Sequence, residues 1–352
     1  MEKKSELLNV QELKSGMLVL KDVMQNGKLL IKEGTFLTDD IIDRLKNVYF
    51  LEKIEVNLSE ELLIQHTREE EIKKVESTFR EVSERLEEVF NNAIEFKKNG
   101  MDEMRKFSQK IQNEINSTAI VVSNIVFKGS GTYCIYRHGV NVAALSALLG
   151  KWIGLEKNQI NLLIYSALLH DFGMTKVDKK IIEKPRRLVE EEFKIIKEHS
   201  KIWYKYISEI PYLDKSVSYG VLMHHERADG SGYPLKITGE KIHPFAKIIA
   251  IADVFDALNS DRIYRKKKGS LEALEIIKEE SLNKLDYEYS KIFLGHISNY
   301  YMGEEVRLSN GETAKILQID QNNLSRPLLL KDGEFIDLNI EKDLNVEELI
   351  LN

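Results

Sequence analysis

The sequence predicts a mainly α-helical protein with a small β-rich module at each end. Apolar residues recur at helical spacing through the middle of the chain, and glycine is almost absent from 59 to 126. Both ends instead hold short apolar runs separated by tight-turn dipeptides, which is typical of strands. A length of 352 residues suits two or three domains of about 150 residues. The predicted divisions are a β-rich module at 1–58, a helical hairpin or linker at 59–124, a helical catalytic domain at 125–300 and a second β-rich module at 301–352.

The composition excludes several classes of protein. A hydrophobic fraction of 43% is enough for ordinary cores, and a net charge of −6 gives no overall basic field for DNA or an anionic membrane. No run approaches the ~20 apolar residues of a spanning helix, and the N-terminus lacks the apolar core of a signal peptide. One cysteine, Cys134, allows no internal disulfide, which fits a reducing compartment. We therefore expect a cytoplasmic protein with neither DNA nor a membrane as partner.

The N-terminal module at 1–58 is predicted from a hairpin pattern. The strand-like runs MLVLKDV and KLLIKEG flank Asn26-Gly27, a dipeptide that favours a tight two-residue turn. A short helix with Thr38 as its N-cap and a strand over KIEVNL are expected to follow. These elements predict a small sheet with one helix.

A heptad stripe marks the helical segment at 59–124, and Asn99-Gly100 is predicted to stop its first helix, with another beginning near Met101. The stripe suits a dimerising coiled coil, or a helical hairpin packed on its own domain. We prefer the hairpin because ordinary bundles contain stripes of this length, and a homodimer through part of the helix stays open. The stripe consists of Ile72, Val75, Phe79, Val82, Leu86, Val89, Ala93 and Phe96.

The C-terminal module at 301–352 returns to strand patterns. The runs VRLSNGETAKIL and LLLKDGEFIDL each centre on a tight-turn dipeptide, Asn310-Gly311 and Asp332-Gly333. We expect a small terminal sheet that carries no catalytic cluster.

The candidate chemistry lies in the helical domain, where histidines and acids accumulate. A carboxylate such as Asp253, inside the apolar helix AIADVFDAL, is costly to bury unless it is paired or binds a metal. Successive helical residues point about 100° apart, so the side chains of His170 and Asp171 face different directions. This arrangement suits a site with two ions and bridging ligands. Imidazoles with carboxylates favour iron, manganese or zinc, and a single cysteine excludes a cysteine-based zinc site. Five of the eight histidines lie between positions 138 and 225: His138, His170, His199, His224 and His225.

In their order and spacing, these motifs resemble the HD-GYP family, a branch of the HD phosphohydrolases that degrades the bacterial second messenger cyclic di-GMP. The resemblance covers about half of the chain, roughly 125–300, and implies a helical HD-type metal-dependent phosphohydrolase bundle. The motifs that carry it are His138, LLHDFG (168–173), EEFKIIKEHS (191–200), HHERADGSGYP (224–234) and IADVFDALNSDRIYRK (251–266).

The resemblance assigns a metal-binding role to seven residues of this chain, and His170 with Asp171 forms the catalytic pair. Two ions are expected, with iron or manganese preferred and zinc as the alternative. The implied ligands are His138, His170, Asp171, His199, His224, His225 and Asp253.

The resemblance also implies the residues that hold the substrate. The family's GYP loop falls on Gly232, Tyr233 and Pro234, which would frame a guanine or close the entrance. Arg262 and Arg265 stand where family members contact the substrate phosphates, and a guanidinium fork matches phosphate geometry. The three lysines that follow are interpreted as a solvated face.

Two positions depart from the family pattern. Many members have a lysine four residues after the HD histidine, where this chain has Met174. On a continuing helix that lysine would point into the site, and methionine cannot stabilise phosphorane charge or protonate a leaving oxygen. Lys176 is near in sequence only. Some members bind a third metal through a glutamate at the position of Cys134, so a two-metal site is expected here.

The predicted function is hydrolysis of cyclic di-GMP to linear pGpG and then GMP, through attack on phosphorus by a metal-activated hydroxide. One alternative keeps the chemistry and takes cyclic GMP-AMP as substrate. Another, motivated by Met174, is a low-activity module that binds a cyclic dinucleotide or a diguanylate cyclase partner. The intact set of candidate ligands argues against the second alternative, because a helical core does not need them.

Overall fold

A computed structural model describes residues 5–350 except 15, 26–27, 36, 38, 48–52, 58–59, 92, 131–133, 183, 185, 187 and 262–268. The chain divides into two compact units, Met1–Lys74 and Val75–Asn352. Among the described residues, no helix is both long and apolar enough to cross a membrane. The predicted turn Asn26-Gly27, the predicted N-cap Thr38, and Arg262 and Arg265 lie outside the described residues.

The first unit contains two small antiparallel sheets and one helix. One sheet has the strand order β1-β5-β2, and the other pairs β3 with β4 across the predicted hairpin. Val19, Leu37 and Val56 are fully buried in its core. This arrangement confirms the predicted β-rich module. The elements are β1 (Ser5–Leu8), β2 (Leu18–Val19), β3 (Val23–Gln25), β4 (Lys28–Ile31), α1 (Asp39–Asn47) and β5 (Ile54–Asn57).

The second unit is mostly helical, which confirms the predicted fold class. Its helices are α2 (Glu60–Asn91, of which 75–91 lies in this unit), α3 (Ala93–Glu114), α4 (Thr118–Lys128), α5 (Ile135–Trp152), α6 (Lys157–Leu169), α7 (Lys179–Ile182), α8 (Glu190–Lys197), α9 (His199–Ile207), α10 (Lys215–Met223), α11 (Pro244–Asn259), α12 (Ser270–Ser281) and α13 (Tyr287–Ile297).

The heptad stripe of α2 is covered within the chain. Thr78 donates a hydrogen bond to Glu114 of α3, and Glu81 pairs with Lys110 of the same helix. The stripe residues Val75, Phe79, Val82, Leu86 and Val89 are all buried. This packing matches the helical-hairpin interpretation and leaves this part of the stripe no free surface for a coiled-coil partner.

The predicted helix stop at Asn99-Gly100 is wrong. Helix α2 ends at Asn91, and α3 runs from Ala93 through both residues to Glu114. A glycine inside a helix costs only about 1 kcal/mol relative to alanine, and burial of apolar side chains further along α3 can outweigh that cost. Met104 and Phe107 of α3 are buried, at 0% and 3% exposure.

Helices α5 and α11 form the centre of the second unit. Helix α5 packs against α6 and α11, while α10 packs against α6, α9 and α11. Every residue of α5 from Tyr136 to Gly150 is buried, including the polar side chains of Arg137, His138 and Asn141. The helices that carry the candidate ligands pack as one connected group around α5, α10 and α11.

The predicted C-terminal sheet is also present. Its strand order is β10-β6-β7-β8-β9, and all neighbours are antiparallel. Gly311, Asp332 and Gly333 adopt positive φ in the two predicted turns. The sheet is anchored on α12, where Glu275 accepts a hydrogen bond from the Leu324 backbone. The strands are β6 (Glu305–Leu308), β7 (Thr313–Asp320), β8 (Asn323–Lys331), β9 (Glu334–Asp337) and β10 (Val346–Ile350).

Candidate metal centre

Helix ends bring most of the candidate ligands together. His170 follows the last residue of α6, His199 begins α9, and His224 follows the last residue of α10. Asp253 and His138 come instead from within the central helices α11 and α5. All seven predicted ligands meet at one place: His138, His170, Asp171, His199, His224, His225 and Asp253.

The ligand atoms form two groups, within each of which every atom lies within 4.8 Å of the others. The first, the His138 cluster, contains His138, His170 and Asp171. The second, the His199 cluster, contains Asp171, His199, His224 and His225. Asp171 is thus common to both.

Each carboxylate oxygen of Asp171 faces a different cluster. Its Oδ1 lies 3.3 Å from Nε2 of His199 and 3.7 Å from Nε2 of His224. Its Oδ2 lies 3.8 Å from Nε2 of both His138 and His170. A carboxylate placed this way can bridge two metal ions, one in each cluster.

Hydrogen bonds orient four of the imidazole rings. In His170, His199 and His224, Nδ1 donates to the carbonyl three residues earlier, at 2.7 Å in each case. In His138, Nδ1 lies 2.6 Å from a carboxylate oxygen of Asp256. When Nδ1 holds the donated proton, Nε2 can present a lone pair to a metal.

The environment of His170 fits a metal ion. Its Nε2 is buried and has no hydrogen-bond partner among the described residues. Such an atom is costly to leave unpaired, and a divalent cation within the His138 cluster would satisfy it. Imidazole nitrogens and carboxylate oxygens are also the donors that iron, manganese and zinc accept.

The surroundings keep three groups in the form that binds metals. Burial, opposed by the Asp171 charge and reinforced by the neighbouring His224 and His138, lowers the pKa of His170 to about 4. Burial and the neighbouring imidazoles also hold the pKa of His225 well below its usual value. The adjacent histidines outweigh burial at Asp171 and hold the pKa of its carboxyl well below its usual range. Neutral imidazole and ionised carboxylate are the ligating forms.

Neighbouring carboxylates favour the protonated forms of His138 and His199. Burial opposes the charged form of His138, but hydrogen bonds to Asp253 and Asp256 outweigh it and raise the pKa of His138 to about 10. Burial likewise opposes protonation of His199, and its bond to Asp171 raises its pKa above the ordinary value. Oδ1 of Asp253 lies 3.1 Å from Nε2 of His138. Metal binding at these atoms would displace the protons.

Gly173 allows the turn that carries Asp171 to approach α9. A short 3-10 helix spans Phe172–Lys176 and packs against α9. A Cβ at Gly173 would overlap the carbonyl oxygen of His199 and lie 2.5 Å from its carbonyl carbon. Only glycine leaves room for this contact, which sets the distance between Asp171 and His199.

The same 3-10 helix corrects the expected position of Met174. The prediction assumed that helix α6 continues, but α6 ends at Leu169 and a tighter turn follows. Residues three apart are eclipsed in a 3-10 helix, so Met174 shares a face with Asp171 rather than with His170. Met174 is buried, whereas Lys176 is exposed.

Cys134 stands apart from the candidate ligands. It is a half-buried free thiol at the N-cap of α5. Neither group of metal-ligating atoms found among the described residues includes it. The expectation of two ions rather than three stays a prediction.

The loop that contains Tyr233 folds back against His225. The Tyr233 backbone N–H donates to the carbonyl oxygen of His225 at 3.2 Å, and the two rings stack with centroids 4.6 Å apart. A Cβ at Gly232 would lie 2.5 Å from both the Glu226 Cα and the His225 oxygen, so this approach requires glycine. Pro234 follows through a cis peptide bond. The predicted loop thus lies beside the His199 cluster.

Sequence reasoning missed two buried acids and two residues beside the loop. Glu226 is 2% exposed and accepts hydrogen bonds from the backbone N–H groups of residues 235–237. Asp256 orients His138; the sequence shows it beside Asp253 in the apolar helix AIADVFDAL, but the prediction gave it no role. Lys197 Nζ lies 4.5 Å from the ring centroid of Phe193 and 5.5 Å from that of Tyr233.

Comparisons with known proteins agree with the resemblance noted from the motifs. Residues 88–289 match the model of a family described as HD domain. Cyclic di-GMP phosphodiesterase PdeB of Borreliella burgdorferi is 35% identical over 206 residues, covering 57% of this chain and 54% of that protein. Cyclic di-GMP phosphodiesterase PA4108 of Pseudomonas aeruginosa is 30% identical over 207 residues, covering 59% and 50%.

A third relative carries a different substrate in its name. It is 3'3'-cGAMP-specific phosphodiesterase 1 of Vibrio cholerae, 34% identical over 197 residues, with 55% of this chain and 45% of that protein covered. The chain spans about half the length of the curated relatives that it matches. The family match covers more than half of the chain. This chain therefore belongs to the HD domain family.

Proposed function

We propose that this chain is a metal-dependent phosphodiesterase that hydrolyses cyclic di-GMP to linear pGpG and then to GMP. The observation that carries the proposal is the placement of Asp171, with one oxygen toward each of two histidine clusters. Two relatives named cyclic di-GMP phosphodiesterases support this choice of substrate. A cytoplasmic location is part of the proposal, since a chain with one cysteine suits a reducing compartment.

Two divalent ions are proposed as cofactors, with iron or manganese preferred and zinc as the alternative. His138, His170 and Asp253 would hold one ion, His199, His224 and His225 would hold the other, and Asp171 would bridge them. When bound, the ions supply an activated water at neutral pH and stabilise negative charge on the phosphate.

The residues of the chain would position the substrate between these ions and the Tyr233 loop. Tyr233 offers an aromatic face for a guanine, and Lys197 with Phe193 lies next to it. Arg262 and Arg265 are proposed to hold non-bridging phosphate oxygens. Water oxygen adds to phosphorus, the bond to the 3′ oxygen breaks, and that oxygen takes up the water's proton, leaving a 5′-phosphate and a 3′-hydroxyl.

The test is a hydrolysis assay on anaerobically purified protein whose metal content has been measured. Protein loaded with Fe²⁺ or Mn²⁺ is incubated with cyclic di-GMP, and the products are separated by chromatography. We expect pGpG first and GMP later, and no product from Asp171→Ala. Absence of turnover with iron, manganese and zinc, in folded protein that retains its ions, would overturn the proposal.

Cyclic GMP-AMP is a second candidate substrate, because one relative of 34% identity is named for it. A competition assay with equal concentrations of both dinucleotides decides between them. Preferential loss of cyclic GMP-AMP would reassign the substrate without changing the reaction.

A low-activity module that binds a diguanylate cyclase is the third candidate, and it rests on Met174. Capture of a cyclase by metal-loaded protein that does not hydrolyse either dinucleotide would favour it. Gel filtration of the metal-loaded protein would report whether the chain forms the homodimer that the stripe of α2 first suggested.

A further inference from the structure

A chain of buried hydrogen bonds runs from helix α2 to the candidate ligand His138. Glu76 of α2 pairs with Arg137 through two bonds, of 2.9 and 2.7 Å. Arg137 Nε donates to Asn141 Oδ1 at 3.0 Å, and Asn141 Nδ2 donates to Asp256 Oδ1 at 2.7 Å. The other oxygen of Asp256 lies 2.6 Å from Nδ1 of His138. Three helices thus contribute to one connected path.

This path lies inside the second unit. Arg137 is 7% exposed, Asn141 and Asp256 are fully buried, and only Glu76 is half-buried. A buried guanidinium is costly unless a carboxylate compensates it, and Glu76 provides that carboxylate in a bidentate arrangement. Asn124 adds bonds to both partners, which fixes the pair further.

The guanidinium determines how Asn141 is oriented. Because Nε of Arg137 is a donor, it requires the carbonyl oxygen of the Asn141 amide on its side. The NH₂ group of Asn141 must then point to Asp256, which can only accept. Asp256 also accepts from Ser130, so both of its oxygens are fixed when His138 donates to it.

We propose that Glu76 is a positioning residue for the metal ligand His138, acting through Arg137, Asn141 and Asp256. This inference rests on the metal site of the proposed function. Glu76 holds Arg137, Arg137 orients Asn141, and the Asn141–Asp256 pair sets the direction of the His138 ring. The His199 cluster does not use this path, because His199 and His224 are oriented by the backbone carbonyls of Ile196 in α8 and Val221 in α10.

Loss of the Glu76 charge should therefore affect one ion and not the other. Without it, Arg137 is a buried cation whose next carboxylate along the path is Asp256. Movement of Asp256 toward Arg137 would weaken its bond to His138. Loss of such outer partners typically lowers metal affinity 10–100-fold, and for a residue this far along the path we expect about 10-fold.

The test compares Glu76→Gln with Glu81→Gln by equilibrium dialysis against Mn²⁺. Glu81 lies on the same helix, and its ion pair with Lys110 is exposed, so it is a matched control. Wild-type protein and the control should bind two ions with unchanged affinities. Glu76→Gln should keep one of them and bind the other about 10-fold more weakly. His138→Ala identifies the affinity that belongs to the His199 cluster.

Two outcomes overturn the inference. Either Glu76→Gln binds both ions with wild-type affinity, or its affinity for both ions falls equally, as expected if Glu76 only holds α2 against its neighbours. If Glu76→Gln does not fold, Asn141→Ala breaks the path while keeping the Glu76–Arg137 pair and should weaken the same single ion. Unchanged binding there, or a wild-type protein without an ion at His138, also overturns it. Selective loss in a protein that hydrolyses no dinucleotide would support the inference and reject the proposed activity.

Discussion

Substitution of Gly173 by alanine tests how the 3-10 turn positions Asp171 against His199. The added methyl group would lie 2.5 Å from the His199 carbonyl carbon, whereas ordinary van der Waals contact begins at 3.4 Å. The added Cβ is fixed directly to the backbone of the turn, and it meets backbone atoms of His199, so no flexible side chain can move away. The turn and α9 must therefore separate by about 1 Å, since protein interiors have little free volume.

A shift of this size is large for a metal centre. Ligand distances tolerate only about 0.2 Å of error, and a displacement of about 1 Å near reacting groups can cost 100-fold in rate. We expect Gly173→Ala to lose the ion of the His199 cluster and to lower kcat about 100-fold. Overpacking should also lower the free energy of unfolding by about 1–3 kcal/mol.

The assay combines metal analysis, urea unfolding and cyclic di-GMP hydrolysis. Gly295→Ala is the control, because Gly295 lies inside α13 and a Cβ there meets nothing within 4 Å. That change should leave activity intact and raise stability by about 0.5–1 kcal/mol. A Gly173→Ala protein that binds two ions and hydrolyses substrate at the wild-type rate would refute the reasoning.

Three further substitutions have defined outcomes. Asp171→Ala should remove both ions, because its two oxygens face different clusters; retention of either ion in metal analysis would contradict this. Lys197→Met should raise KM for cyclic di-GMP about 10-fold or more, as expected for loss of a charged contact, while Lys194→Met, on the same helix and paired with Glu190, should not. Glu226→Ala should free the backbone of 235–237 and raise KM with unchanged metal content; an unchanged KM would exclude a role for this loop in substrate binding.

Local patterns predicted part of the site, whereas the full set of seven candidate ligands came from the resemblance to the HD-GYP family. His170 and His224 each come at the end of an apolar helix, and apolar helices must pack together, so their ends meet in the interior. Asp253 was recognisable because a carboxylate in an apolar helix needs a partner. Such signals are contained in a few neighbouring residues, which is why a single sequence reveals them.

Other features depend on contacts between distant segments. The pairing of Asp256 with His138 depends on the rotation of α11 against α5, and Glu76 is 61 positions from Arg137. Gly100 was misinterpreted as a helix stop because the local sequence shows only the cost of glycine. Burial of apolar residues further along the same helix outweighs that cost. Arg262 and Arg265 lie outside the described residues, so their phosphate contacts stay a prediction.

The charge balance of the site indicates why substrate binding should itself require metal. In the metal-free protein, the carboxylates of Asp171, Asp253 and Asp256 face His138 and His199, whose pKa values these carboxylates raise against burial. Two divalent ions would displace protons and reverse the sign of the local field, which then attracts a phosphodiester anion. The buried Met174 adds no cation to offset this dependence. Titration calorimetry should therefore detect an interaction of cyclic di-GMP with Mn²⁺-loaded protein but not with chelator-treated protein, and equal affinity for both would show that side-chain cations dominate.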